Sequence, residues 1–227
     1  VACRRILEAK YKLGLFDNPY KYCDVKRAKK QIFTKEHRAV ARKIASESLV
    51  LLKNEGNVLP LAKKGTIAVV GPLADSRSNM PGTWSVAAVL KNATSLAEGL
   101  KAVAGGKAEI LTAKGCNLMS DAEYEKRATM FGRSLHRDNR SDKELLDEAL
   151  AVAAKSDVIV AALGESSEMS GESSCRTNLE MTDTQRILLQ ELLKTGKPVV
   201  LVLFTGRPLE LGAGKRARHS ECMVCGQ

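Results

Sequence analysis

Four short apolar runs mark the chain from its middle onward: TIAVV at 66–70, AEILTA at 108–113, DVIVAAL at 157–163 and PVVLVLF at 198–204. Between them lie segments with the three-to-four-residue apolar spacing of helices, SLAEGLKAV at 95–103, DKELLDEALAVAAK at 142–155 and DTQRILLQELLK at 183–194. Runs that are apolar on successive positions suit strands buried on both faces, and strands alternating with amphipathic helices form a parallel sheet covered by helices. The expected fold is therefore α/β: an open, mostly parallel sheet with helices on both faces (an α/β sandwich), truncated at its C-terminal end.

The flanks follow a different pattern. Residues 1–13 place Ile6, Leu7 and Leu13 along one helical side and stop at Gly14, a helix with nothing of its own to pack on. A turn-rich connector, LFDNPYKYCD, leads to a helix starting at Thr34, with Ala41, Ile44, Ala45, Ser48 and Leu49 on its apolar side. The basic segment NEGNVLPLAKKG follows it. At the other end, GAGKRARHSECMVCGQ at 212–227 has neither the strand nor the helix period.

Two connections after strands are long and polar: GPLADSRSNMPGTWS at 71–85 and GESSEMSGESSCRTNLEMT at 164–182. In open α/β sheets, ligands bind beyond the carboxyl ends of the strands, so both loops should open on the same side. The first part of the second, GESSEMSGESSCR at 164–176, presents three carboxylates, Glu165, Glu168 and Glu172, among Ser and Gly. Such a loop is either a solvent-facing turn or a place where carboxylates do chemistry.

Composition narrows the choice. The chain has 227 residues, 44% hydrophobic and 27% charged, which is enough for a sizeable core. No apolar run approaches the roughly 20 residues that cross a bilayer, and no basic-then-apolar signal opens the chain. The net charge of +10 would suit a nucleic-acid binder, but residues 21–64 carry most of it, with twelve Lys and Arg against four Asp and Glu. With only 4% aromatics, that stripe reads as a solvated connector and helix face. Neither nucleic acid nor membrane is the expected partner.

The usual cofactor signatures are missing. VVGPLAD lacks the later glycines of G-x-G-x-x-G, GAGKR is not a phosphate-binding loop, and SGESS is not a nucleophile elbow. His37, His136 and His219 belong to no catalytic motif. Cys222 and Cys225 have no second ligand pair to make a zinc site with, and the six cysteines form no regular framework. No cofactor or metal is expected. Paired carboxylates remain, and they suit glycoside hydrolysis, in which one carboxyl protonates the leaving group while another is ionised. Trp84, the single Trp, lies in the companion loop, where an indole plane could stack on a sugar ring; elsewhere an isolated Trp is commonly core.

These residues carry a resemblance. FTKEHRAVARKIASESLVLLKNEGNVLPL, IAVVGPLAD, MPGTWS, the stretch from RDNRSDKELL through GESSEMSGESSCRT, and TGKPVVLVLFTGRPLEL together resemble the second domain of glycoside hydrolase family 3, among its members the bacterial periplasmic β-glucosidases. The match runs from Val1 to Leu211. It implies four segments: 1–16, the last helix of a (β/α)8 barrel domain that is otherwise missing; 17–63, a linker and leading helix; 64–211, the α/β sandwich domain; and 212–227, a tail unlike the family, as from a shifted frame or a gene end.

The resemblance implies hydrolysis of terminal non-reducing β-D-glucosyl residues with retention, by an Asp nucleophile on the barrel and a Glu acid/base on the second domain. Matching SGESSCR to the family motif makes Glu172 the general acid/base, with Glu165 as the fallback and Glu168 also close. Trp84 and Arg176 are the expected substrate-binding residues; Arg176 is also suited to pairing with a loop carboxylate, as it is to serving solubility alone. Asp75 is expected to shape its turn. The implied partners are a β-linked oligosaccharide or glucoside and the barrel domain, and the implied location is periplasmic or secreted. A chain with one of the two carboxylates should be inactive alone. The alternative reading is a non-catalytic α/β module that binds a carbohydrate or a nucleotide.

Overall fold

The computed structural model describes residues 1–127, 137–172, 174–211 and 220–226. The chain divides into two compact units, Val1–Glu47 and Ser48–Gln227. The first contains three helices: α1 (Ala2–Lys12), α2 (Val25–Gln31) and α3 (Lys35–Glu47). None of the three contains a buried residue. The α3 start follows its cap, since the Thr34 hydroxyl accepts from the His37 N–H at 3.2 Å. The turn-rich connector, by contrast, runs into α2, a helix the periodicity does not reveal. Its signal is the cap: the Asp24 carboxylate accepts from the N–H groups of Lys26 and Arg27.

The second unit is built on a six-stranded sheet. Its strands are β1 (Val50–Lys53), β2 (Thr66–Val70), β3 (Glu109–Ala113), β4 (Val158–Gly164), β5 (Val199–Thr205) and β6 (Ser220–Gly226), arranged β1-β6-β5-β4-β2-β3. β3, β2, β4, β5 and β6 run parallel, and β1 joins β6 antiparallel. Helices α4 (Leu96–Ala104), α5 (Ala122–Arg127), α6 (Asp142–Ala154) and α7 (Asp183–Lys194) complete the unit. All four apolar runs become strands and all three amphipathic segments become helices, as α/β periodicity requires. The tail differs from its lack of periodicity, because Ser220–Gly226 adds to the sheet beside β5 through backbone pairing. β1 also lies where an apolar helix end was expected.

The strands are buried on both faces. Ala68, Val70, Ile159, Ala161, Leu163, Val199, Leu201 and Leu203 pack against α6 and α7 through Ala149, Ala153, Leu188 and Leu192. Their alternates Ile67, Val69, Val160, Ala162, Val200, Val202 and Phe204 pack on the other face with Ala97 of α4. This period of two explains why the runs are continuously apolar. Leu188 and Leu192 are fully buried, so truncating either to Ala costs about 2–5 kcal/mol.

Helix entry is also encoded locally. Ser95 with Glu98 and Ser141 with Glu144 form reciprocal capping boxes at α4 and α6. The order of the strands matters most for function. The chain moves from β2 outward to β3, then returns to place β4 on the opposite side of β2. The chain therefore leaves β2 and β4 in opposite directions at a topological switch point, the place where open α/β sheets bind ligands beyond the carboxyl ends of their strands.

Candidate active site

The loop after β4 starts from a backbone that only glycine permits. Gly164 has φ +127°, and a Cβ on it would lie 1.9 Å from the Phe204 carbonyl oxygen of β5. Its peptide groups are held by Gln185 of α7: the Gly164 N–H donates to Oε1 at 2.7 Å and Nε2 donates to the Gly164 carbonyl at 2.8 Å. Nε2 also donates to the Leu118 carbonyl at 3.1 Å. A fully buried amide thus terminates β4 and starts the loop in one direction.

The three loop carboxylates have different surroundings. Glu165 is 0% exposed. Arg176 Nη1 donates to its Oε1 at 2.9 Å, and Arg207 Nε approaches both of its oxygens at 3.2 Å. Glu168 lies in a short 3₁₀ turn, Ser167–Met169, and is also buried. Its backbone carbonyl accepts from Ser174 Oγ at 2.8 Å. Glu172 alone of the three is exposed.

The loop after β2 meets this one directly. The Ser167 N–H donates to Oδ1 of buried Asn79 at 2.5 Å. Gly171 packs so closely on Thr83 that an added Cβ would sit 2.8 Å from both Thr83 Cγ2 and Oγ1. Thr83 is buried, whereas the next residue, Trp84, is 69% exposed. Trp84 and Glu172 are therefore the immediate successors of two residues in contact. The loop that carries the aromatic and the loop that carries the exposed carboxylate thus touch at the residues just before them.

Other expected site residues have local partners. Arg176 has a side chain only 13% exposed, and besides Glu165 it donates from Nη2 to the Glu180 carbonyl at 2.7 Å. The structure displays the pairing with a loop carboxylate. Asp75 accepts from the Ser95 hydroxyl at 2.6 Å, tying its turn to the N-terminus of α4. The same loop is anchored again where Arg77 Nε donates to both oxygens of Glu98 at 3.0 Å. Those bonds, with the Ser95 backbone N–H, pull the Glu98 carboxyl down to about 2. Sequence reading missed Asn79, Thr83, Gly171, Gln185 and Arg207. Their only sequence signals are the glycine inside an acidic loop and an arginine two residues beyond a strand.

A cavity of about 300 Å³ opens at the ends of β2 and β3, lined by Gly71, Asp75, Lys114, Arg140 and Glu148 among others. Its charges are used within the fold: Arg140 pairs with Asp138 and Glu148 at 2.8 and 2.9 Å. Burial lowers the pKa of the Lys114 ammonium group. The buried Cys116 thiol is pushed up to about 12, chiefly by desolvation. Among the described residues, no group of three His, Cys, Asp or Glu is placed to hold a metal. No helix among them is long and apolar enough to cross a membrane.

Comparison with known proteins agrees with this architecture. The family model of the glycosyl hydrolase family 3 C-terminal domain matches residues 49–224. The chain is 43% identical to a periplasmic β-glucosidase of Salmonella typhimurium over 92% of its own length and 28% of the relative's. It is 35% identical to a β-xylosidase of Formosa agariphila, again over 92% of this chain but 27% of that one. The crystal structure of β-glucosidase from Listeria innocua in complex with glucose superimposes with a TM-score of 0.75 at 32% identity, covering 98% of this chain and 27% of that one. The chain thus spans little more than a quarter of the relatives it resembles. With most of its length matched by one family model and its two-faced parallel sheet shared with solved β-glucosidases, the chain belongs to glycosyl hydrolase family 3, whose C-terminal domain it contains.

Proposed function

We propose that this domain supplies the general acid/base for retaining hydrolysis of terminal β-D-glucosyl residues, with Glu172 as that group. The observation that carries the reading is the sorting of three loop carboxylates: Glu165 and Glu168 are buried, while Glu172 is exposed beside the Trp84 loop. A proton donor must reach a substrate oxygen, and a carboxylate enclosed by two arginines cannot.

In the proposed reaction a second carboxylate, an Asp on a (β/α)8 barrel domain outside this chain, lies about 5–5.5 Å from Glu172. In the first step Glu172 gives its proton to the glycosidic oxygen as the Asp attacks the anomeric carbon, so the aglycone leaves as an alcohol and a glycosyl ester forms. In the second step the Glu172 carboxylate removes a proton from water, which attacks the same carbon, releases glucose and frees the Asp. Trp84 stacks against the sugar on the leaving-group side. Arg176 shapes the base of the loop through Glu165 and the Glu180 carbonyl.

The substrate class, a β-linked gluco-oligosaccharide or glucoside, follows the names of the Salmonella and Listeria relatives, and the periplasm is proposed from the Salmonella protein. The reading is tested in a chimera in which residues 1–227 replace the matching segment of that β-glucosidase. Glu172→Gln should slow substrates with poor leaving groups by on the order of 10²–10⁴-fold and spare the first step of activated aryl glucosides. Equal losses across leaving groups would refute it.

A further inference from the structure

We infer that Glu165 is a positioning residue for Glu172, acting through Arg176 and Arg207; the inference rests on the acid/base reading given above. Glu165 leaves β4 and is wholly buried. Its carboxylate holds two guanidinium groups, and each of these reaches onward to the loop backbone. Arg207 Nη2 donates to the Met169 carbonyl at 2.7 Å, three residues before Glu172. Arg176 Nη2 donates to the Glu180 carbonyl at 2.7 Å, beyond Glu172 on the return limb. One carboxylate therefore gathers both limbs of the loop, and the segment carrying Glu172 is pinned on each side of it.

The rest of the arrangement makes Glu165 rigid. Its N–H donates to the Phe204 carbonyl at 2.8 Å, continuing the β4–β5 pairing by one residue. Arg207 is held in turn, since its N–H donates to Thr205 Oγ1 at 3.1 Å at the end of β5. The charges are of low exposure, 0% for Glu165, 13% for Arg176 and 21% for Arg207. Geometry is therefore transmitted from two core strands to an exposed loop through charge-assisted bonds, a class roughly twice as strong as neutral ones. A loop lacking such anchors would sample many positions for its carboxyl group, and a misplacement of about 1 Å at a reacting centre can cost on the order of 10²-fold in rate.

The experiment has two readouts. In the 227-residue chain, amide hydrogen exchange is measured for wild type, Glu165→Gln and Arg207→Lys, the last covering the case in which the Glu165 variant does not fold. The inference predicts at least a tenfold rise in exchange at Gly171, Glu172, Ser174 and Cys175, with β2 and β5 unchanged. Unchanged loop exchange in a folded variant overturns it. In the chimera, the same substitutions should lower kcat on the order of 10²-fold with little change in KM, keeping the wild-type dependence on leaving group. A dependence that steepens as for Glu172→Gln would make Glu165 itself the proton donor and overturn the positioning role. Should Glu172→Gln show no leaving-group dependence, the acid/base reading fails, while the exchange data still decide whether Glu165 anchors the loop.

Discussion

The contact between Gly171 and Thr83 sets how far the carboxylate loop stands from the aromatic loop, and a single methyl group tests it. Gly171 is not among the glycines with positive φ, so Gly171→Ala meets no backbone penalty and acts through space alone. The new Cβ would lie 2.8 Å from Thr83 Cγ2 and Oγ1 and 3.3 Å from Thr83 Cβ. Carbon atoms settle at about 3.5–4.0 Å, so the loops must separate by at least about 0.7 Å. Overpacking of this kind costs about 1–3 kcal/mol, and the separation moves the loop that carries Glu172 away from the loop that carries Trp84. Urea unfolding of the chain should show that loss, and kcat in the chimera should fall by roughly tenfold or more. Thr83→Ala removes both close atoms, so the double variant should recover most of the stability and rate, with a coupling of about 1–2 kcal/mol. The single Trp, Trp84, gives a local check by acrylamide quenching. Wild-type stability and rate in Gly171→Ala, or no recovery on adding Thr83→Ala, would refute the clamp.

Three further outcomes are expected. Gln185→Leu leaves the Gly164 N–H and carbonyl buried without their partner, and should destabilise the second unit by about 2–6 kcal/mol in urea unfolding at about 1–3 kcal/mol per lost partner; a loss below about 1 kcal/mol would contradict the role of Gln185. The Glu98 carboxyl, held down to about 2 by Arg77 and the Ser95 N–H, favours the folded state above its ordinary value of 4.5 and loses that contribution as pH falls from there towards 2. Glu98→Gln should flatten the acid limb of the stability–pH curve across that window and leave its shape near neutrality unchanged. Iodoacetamide at pH 8 should label exposed Cys175 and leave Cys116, whose thiol is pushed up to about 12, unmodified until the chain unfolds; peptide mapping that finds both labelled equally would contradict the packing.

The sheet was legible because its strands are buried on both faces and therefore written as unbroken apolar runs, and because α4, α6 and α7 carry their faces in helical spacing. α2 escaped for the opposite reason: VKRAKKQ buries nothing, so only its Asp24 cap could announce it. β6 has no sequence period and is defined through its neighbours, pairing with β5 and β1 along the backbone. The site was half legible. Carboxylates clustered after a strand, and a Trp after a Pro-Gly turn, point to the two loops. Which of Glu165, Glu168 and Glu172 faces solvent is a tertiary property, set for Glu165 by an arginine 42 residues further along. Nor could spacing reveal that Thr83 and Gly171 touch, since the strand order that brings their loops together is not local.

The central claim, that Glu172 gives and takes the proton, is tested most directly by azide rescue. Glu172→Ala and Glu165→Ala chimeras would be assayed on an activated aryl β-glucoside with and without sodium azide. The glycosyl ester formed in Glu172→Ala lacks its base, so a small anion that needs no deprotonation should restore turnover and yield β-glucosyl azide, while Glu165→Ala yields none. Azide product from Glu165→Ala, or its absence from a folded Glu172→Ala, would contradict the assignment.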